Sequence, residues 1–313
     1  MSTPANFPAN SPILEPGPGA GAGPAPLDER VVGRWRVVGR AFIRKPTAVG
    51  GLVTIVLLFL AAYLGPHFDQ WSYDQPDFAN FLSPPSGLHW FGTDQIGDDV
   101  FAQTMRGLQK SLVIGLLAGV TGTAIAAVVG SVAGYFGGWA DRSMVWLIDI
   151  LLVVPSFLLI AVLSPLYAGK TWLLYVVLIA VFSWMVTGRM VRGLTVSVSQ
   201  REYVKAARYM GVPARKIILR HVLPNIASLL IVDVALGVNG AVMTETSLSF
   251  LGFGIQPPDV SLGTLLSSGQ ESATTQPWLF WFAATLLVLF CLAVNFVGDG
   301  LRDALDPTSG AAR

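Results

Sequence analysis

The sequence predicts an all-α, polytopic membrane protein with six transmembrane helices and with the N- and C-termini both cytoplasmic. Three observations predict it. Of the 313 residues, 53% are hydrophobic and 12% charged, whereas a soluble domain carries about a quarter charged residues. Six stretches approach the roughly 20 apolar residues needed to cross the hydrocarbon core; they lie at about 47–65, 111–135, 144–165, 172–189, 226–247 and 279–298. The basic residues are also lopsided. With the N-terminus inside, 17 of the 20 fall on the cytoplasmic side and only Arg106, Lys110 and Lys170 outside, which is the bias that sets orientation.

The chain opens on a tail, residues 1–29, rich in Pro, Gly and Ala and without hydrophobic periodicity. It lacks the cationic start and apolar core of a secretory signal, so it reads as a disordered cytoplasmic tail. Its "GPGAGAG" at 17–23 resembles a dinucleotide fingerprint only in composition, because no strand leads into it. The transmembrane domain then runs over 30–307 and leaves a C-terminal tail, 308–313.

Span one leads into an external loop holding Asp69, Asp74, Asp77, Asp94, Asp98 and Asp99, together with Trp71 and Trp90. Two readings stand: a surface that meets substrate or a delivering partner, or a solvated loop in which acids are merely permitted. Span two carries Gly115, Gly119 and Gly122, small residues that suit close helix packing. Span three contains Asp149, the deepest in appearance of four acids in or near spans, the others being Asp233, Glu245 and Asp299. An ion or proton relay is one reading of such groups. Pairing across a helix interface, or a position near a span end, is the reading the scatter favours, since relays place several acids on one helical face. "AGKT" at 168–171 mimics the end of a phosphate-binding loop, but Ser164 stands where the first glycine is required. It reads as a turn.

One cysteine, Cys291, excludes an internal disulfide, and His67, His89 and His221 are too scattered to suggest a metal site. No His-Glu-x-x-His helix and no Gly-x-Ser-x-Gly elbow occurs. The chain is therefore expected to carry no catalytic residues and no cofactor of its own.

Between spans four and five, about 35 residues include "EYVKAARYMGVPARKIILRHVLPN" at 202–225. Tyr203, Ala206, Ala207 and Met210 recur at three- and four-residue steps and mark one apolar face, with Lys205 and Arg208 on another side. Gly211 can close this helix in a left-handed conformation, and Pro213 suits the first turn of the next. The second helix runs through Ile217, Ile218 and Leu219, and Pro224 precedes span five. The pattern predicts two short helices over 201–220, joined at Gly211 and lying beneath the bilayer. Periodicity leaves three uses open: an interfacial helix on anionic lipid, a topological anchor, or a docking knob for a soluble partner.

The same residues carry a resemblance. "KAARYMG" followed by "HVLP" resembles the EAA loop of ATP-binding-cassette importer permeases. Ala206, Ala207, Gly211, Leu223 and Pro224 match that pattern, while Lys205 replaces its Glu and His221 its Ile. "HWFGTDQIGDDVFAQTMRG" at 89–107, "SLSFLGFGIQPP" at 247–258 and "GDGLRDALDP" at 298–307 are similar to C-type permeases of the peptide and nickel uptake family. Those for oligopeptides are nearest, with dipeptide, glutathione and nickel permeases as relatives. Gly97-Asp98-Asp99 stands where that family often has Gly-Arg-Asp.

The resemblance implies a type I importer permease fold in the bacterial cytoplasmic membrane, surrounded by lipid. It implies a heterodimer with a homologous B-type permease and an extracytoplasmic peptide-binding protein. Two cytoplasmic ATPase subunits, or one fused ATPase, would bind ATP and Mg; no nucleic acid is implied. Closure of the ATPases would move the helices at 202–218 and tilt spans four and five, giving alternating access. The residues implied in coupling are Tyr203, Ala206, Ala207, Met210, Gly211, Leu223 and Pro224.

Overall fold

In lipid the backbone has no water to satisfy its N–H and C=O groups, so long apolar runs fold as helices. The computed structural model describes residues 34–164, 172–257 and 259–305. The tail at 1–29, the turn at 168–171 with Lys170, Pro258 and the segment 308–313 lie outside the described residues. Among the described residues the regular elements are all helical, apart from an isolated bridge between Thr93 and Asp99. The helices are α1 (Arg34–Ile43), α2 (Pro46–Leu64), α3 (Val100–Phe136), α4 (Gly138–Val153), α5 (Ser156–Leu163) and α6 (Leu173–Ser199). Then follow α7 (Glu202–Tyr209), α8 (Ala214–Ile217), α9 (Leu223–Phe250), α10 (Leu262–Gly269) and α11 (Trp278–Leu305).

Among the described residues, five helices are long and apolar enough to cross a membrane, and a sixth span exists if the bent pair α4 and α5 counts as one. The third expected span, about 144–165, is not one straight helix: the chain bends by 76° between α4 and α5. Pro155 is the reason. It has no N–H to donate, its ring excludes the preceding turn, and it drives Val154 out of the helical region to φ −93° and ψ 124°.

The second short helix is also corrected. α8 does not end beneath the membrane but runs through a π-helical turn, Ile218–Val222, directly into α9. Pro224 would clash with the carbonyl four residues back in a regular helix. The wider turn relieves this, with Leu223 N–H bonded to Ile218 O, five residues back.

α3 is the central strut, packed along α6 and α9, while α11 packs along α2. The glycines of α3 allow this. A Cβ at Gly119 would lie 2.6 Å from the Val238 backbone nitrogen, and one at Gly122 would lie 2.4 Å from Ser183 Oγ. Bare backbone therefore lets α3 approach both neighbours, as in other small-residue helix contacts. A core of Leu108, Leu112, Val238, Leu262, Leu287 and Phe290 joins α3, α9, α10 and α11. Leu57, Val128, Trp146 and Leu289 remain exposed on outer faces, as lipid-facing side chains must be.

Candidate functional site: the α6–α9 connection and the α2–α3 loop

The α6–α9 connection is built around Gly211. Its N–H bonds to Arg208 O and the Val212 N–H to Ala207 O, each at 3.1 Å. With Gly211 at φ +76°, this is the Schellman ending of α7, a conformation a glycine adopts without a Cβ penalty. Val212 then packs beside Ala207, as the motif favours. The inner face of α7, Val204 and Ala207, joins Val191 and Val198 of α6 and Ile217, Val222 and Ile226 beyond it in one cluster. Close-packed interiors transmit displacement rather than absorb it. The short helix is thus gripped by the end of α6 and the start of α9 together.

The predicted apolar face of α7 is split. Ala207 is 5% exposed and points inward, whereas Tyr203, Met210 and Tyr209 are 43%, 76% and 88% exposed. Ala206 and Gly211 also lie on the outer surface, Pro224 is exposed and Leu223 is half-buried. Tyr203 is held from the far side of the turn: Asn225 Nδ2 donates to its hydroxyl at 2.9 Å, and its ring sits beside His221. Arg208 lies over the Tyr135 ring at the end of α3. Val204 and Tyr209 were missed by the sequence reading. The Val204–Ala207 pair at three-residue spacing, matched by the buried Ile217, was the available signal.

At the opposite end of the bundle the α2–α3 loop is folded, not merely solvated. His89 is 1% exposed, with Nδ1 2.8 Å from Asp99 Oδ2 and Nε2 3.3 Å from Asp77 Oδ2. Trp71 stacks on its ring, centroids 4.9 Å apart. Asp99 is also the N-cap of α3, accepting from Ala102 N–H at 2.8 Å. Gly97 makes the close turn behind them, since a Cβ there would sit 2.5 Å from Asp77 O. Phe91 stacks on Phe282 and Trp278 Nε1 donates to Thr93 O, fastening the loop to α11.

The segments 89–107 and 247–258, singled out separately in the sequence, border one cleft of about 660 Å³. Asp74, Asp94, Asp98, Gln103, Gln256 and Asp259 line it. Burial pushes the Asp98 carboxyl above the ordinary carboxylate range, the Asp94 charge adds to this, and the Gln103 amide opposes it. Asp77 is held below that range, chiefly by the Asn80 amide. Arg106 and Lys110 turn toward Asp259, at 3.4 and 3.1 Å, so two of the three basic residues predicted outside are paired.

Most of the acids singled out along the helices are partnered, while Asp299 is exposed on α11. Asp149 pairs with Arg189, and Asp141 with Arg192. Asp149 is not the deepest of them. Glu245 is fully enclosed, at 0% exposure, with Ser249 Oγ donating at 2.7 Å and Ser111 Oγ at 3.5 Å. Asp233 accepts from Thr123 and Thr187.

A family model described as a binding-protein-dependent transport system inner membrane component matches residues 126–309. The chain belongs to that family. A second model, the N-terminal TM domain of oligopeptide transport permease C, matches residues 33–85 of the permease. The permease is 53% identical over 281 residues to the oligopeptide transport system permease protein OppC of Mycobacterium bovis, covering 90% of this chain and 97% of that one. It is 36% identical to the OppC of Haemophilus influenzae, over 87% of this chain and 88% of the relative. A solved structure titled as an inward-facing MetNI methionine ABC transporter matches with a TM-score of 0.51 and 19% identity. That match covers 65% of this chain and 96% of the other, and shows the fold alone. The permease is a multi-pass protein of the bacterial inner membrane and a membrane component of a transport system rather than an enzyme.

Proposed function

We propose that this permease forms half of the pore of an ATP-driven importer of oligopeptides. The observation that carries the substrate is the 53% identity to a protein named for oligopeptide transport, over 90% of the chain. In this reading α4 and α5 form one broken span, giving six, and both termini are cytoplasmic. The α6–α9 connection then lies inside the cell and the acidic cleft outside.

The pore partner is a homologous B-type permease. An exposed stripe along α9 supports this: Leu236, Gly240, Met243, Ser247 and Phe250 recur at alternating four- and three-residue steps and are all exposed. Such spacing is the seam of a helix that meets another helix. The cleft at the other end receives an extracytoplasmic peptide-binding protein. ATP and Mg are held by the cytoplasmic ATPases, not by this chain.

Coupling enters at the outer surface of α7. Tyr203, Ala206, Met210 and Gly211 present a small, partly apolar knob, the kind that enters a hydrophobic groove. Ala207 acts from beneath, as the contact tying α7 to α6 and α9. Leu223 and Pro224 set the π turn through which motion of the knob reaches α9, so the spans rock and access alternates.

Proteoliposomes containing both permeases and the ATPases, supplied with the binding protein, are expected to take up labelled oligopeptide only with ATP. Omitting any component is expected to abolish uptake. Uptake by the purified chain alone, without ATP, would refute the subunit reading.

A further inference from the structure

Charge at membrane depth is costly, and where it persists it marks function by default. Asp149 has its arginine and Glu245 its serines. Asp233 differs from both. It stands near the middle of the continuous helix Ala214–Phe250 and is only partly buried. Thr123 of α3 donates to its Oδ2 at 2.6 Å, and Thr187 of α6 donates to its Oδ1 at 2.7 Å. Two hydroxyls from two helices fix the orientation of the carboxylate without neutralising it. About four lone-pair directions are available on a carboxylate, so further donors can still be accepted.

The same residue lines a cavity of about 510 Å³ between α6, α9 and α11. Met190, Leu229, Leu236 and Leu305 form its apolar wall, and Arg302 is the basic residue among its lining. Leu236 also belongs to the exposed stripe of α9, so the cavity opens onto the face assigned above to the pore.

We propose that Asp233 is a cation subsite on the transport path, taking a protonated amine of the passing peptide. The amine is either its amino terminus or a basic side chain. This rests on the importer reading. An apolar wall lowers the effective dielectric, so an ammonium gains more from the carboxylate than it would in water. The threonine hydroxyls pre-orient the group, which lowers the ordering cost of binding. They also share its charge, which keeps the site weak enough for the ligand to leave, as conduction requires. Arg302, of opposite charge in the same cavity, suits the carboxylate of a zwitterion.

The test uses the complete reconstituted transporter and three peptides: tetra-alanine, its N-acetylated form, and an N-acetylated peptide containing one lysine. The binding protein is saturated with each in turn, checked by a separate binding measurement. Asp233→Asn keeps the shape and an acceptor for a threonine. It is expected to slow uptake of tetra-alanine about tenfold, the loss of one charge-assisted hydrogen bond, and to leave the N-acetylated form unchanged. Sensitivity of the lysine peptide identifies a side-chain amine as a second source; its insensitivity restricts the site to the amino terminus. Equal slowing of all three peptides, or of none, overturns the proposal, because a purely structural aspartate would not discriminate. Equal wild-type rates for saturating free-amine and N-acetylated peptides overturn it without any variant. A wild-type complex that imports no peptide refutes the importer reading instead.

Discussion

Replacing Gly211 with aspartate is expected to cut ATP-dependent uptake at least about tenfold, a loss of roughly 1.4 kcal/mol or more at the docking surface, while the chain still inserts and folds. The fold tolerates the change for two reasons. Nothing lies within 4 Å of a Cβ at this position, so no neighbour must move. The Schellman hydrogen bonds are made by backbone groups and survive substitution. Aspartate is also among the non-glycine residues that enter the left-handed region most readily, at a cost of about 1–2 kcal/mol. Docking is another matter. A carboxylate added to a knob that enters a partner's groove is buried without a counter-charge, which costs about 2–5 kcal/mol. Uptake and peptide-stimulated ATP hydrolysis by the reconstituted complex measure the effect. Wild-type values for both would remove Gly211 from the docking surface.

The second large effect is expected at the other end of the bundle. His89→Ala removes the group between Asp77 and Asp99, whose side chain is fully enclosed. Leaving the enclosed Asp99 carboxyl oxygen without its hydrogen-bond partner costs about 1–3 kcal/mol, and more for a charged group. Asp99 keeps its bond to Ala102 N–H but loses the contact to its other oxygen. Trp71 loses the ring it stacks on. The α2–α3 loop should therefore open to protease and the thermal midpoint should fall, while ATP hydrolysis without binding protein is retained. A loop as protease-resistant as wild type would show that His89 is not its fastener.

Helical class was legible because apolar length alone dictates it in lipid. Gly211 was legible too, since a glycine after an amphipathic turn is a local signal. What failed to show was anything depending on a neighbour's position. Pro155 looks like one more residue in an apolar run, yet it bends the third span. Pro224 looks like a helix start, yet a π turn carries the helix through it. Tyr203, Ala206, Ala207 and Met210 share a stripe in projection. Only the packing of Val204 against α6 and α9 rotates Ala207 inward and Met210 outward. The loop acids looked interchangeable in sequence. Asp99 became a helix cap and histidine partner, while Asp98 and Asp94 came to line a cleft, because the turn through Gly97 folds Asp98 back onto Asp94 and the extended backbone at Asp99 sends its side chain the other way. Glu245 gave no hint of its serines, which come from positions as distant as Ser111.

The central claim is that the α6–α9 connection faces the ATPases and the α2–α3 loop faces away from them. Paired cysteine cross-linking tests it most directly, in a Cys291→Ala background that removes the single native thiol. Met210→Cys and Trp90→Cys are each exposed positions, at opposite ends of the bundle. In the assembled transporter Met210→Cys is expected to cross-link to an ATPase subunit and to halt uptake until reduced, while Trp90→Cys cross-links only to the binding protein. Capture of the ATPase by Trp90→Cys, with none by Met210→Cys, would contradict both the orientation and the coupling surface.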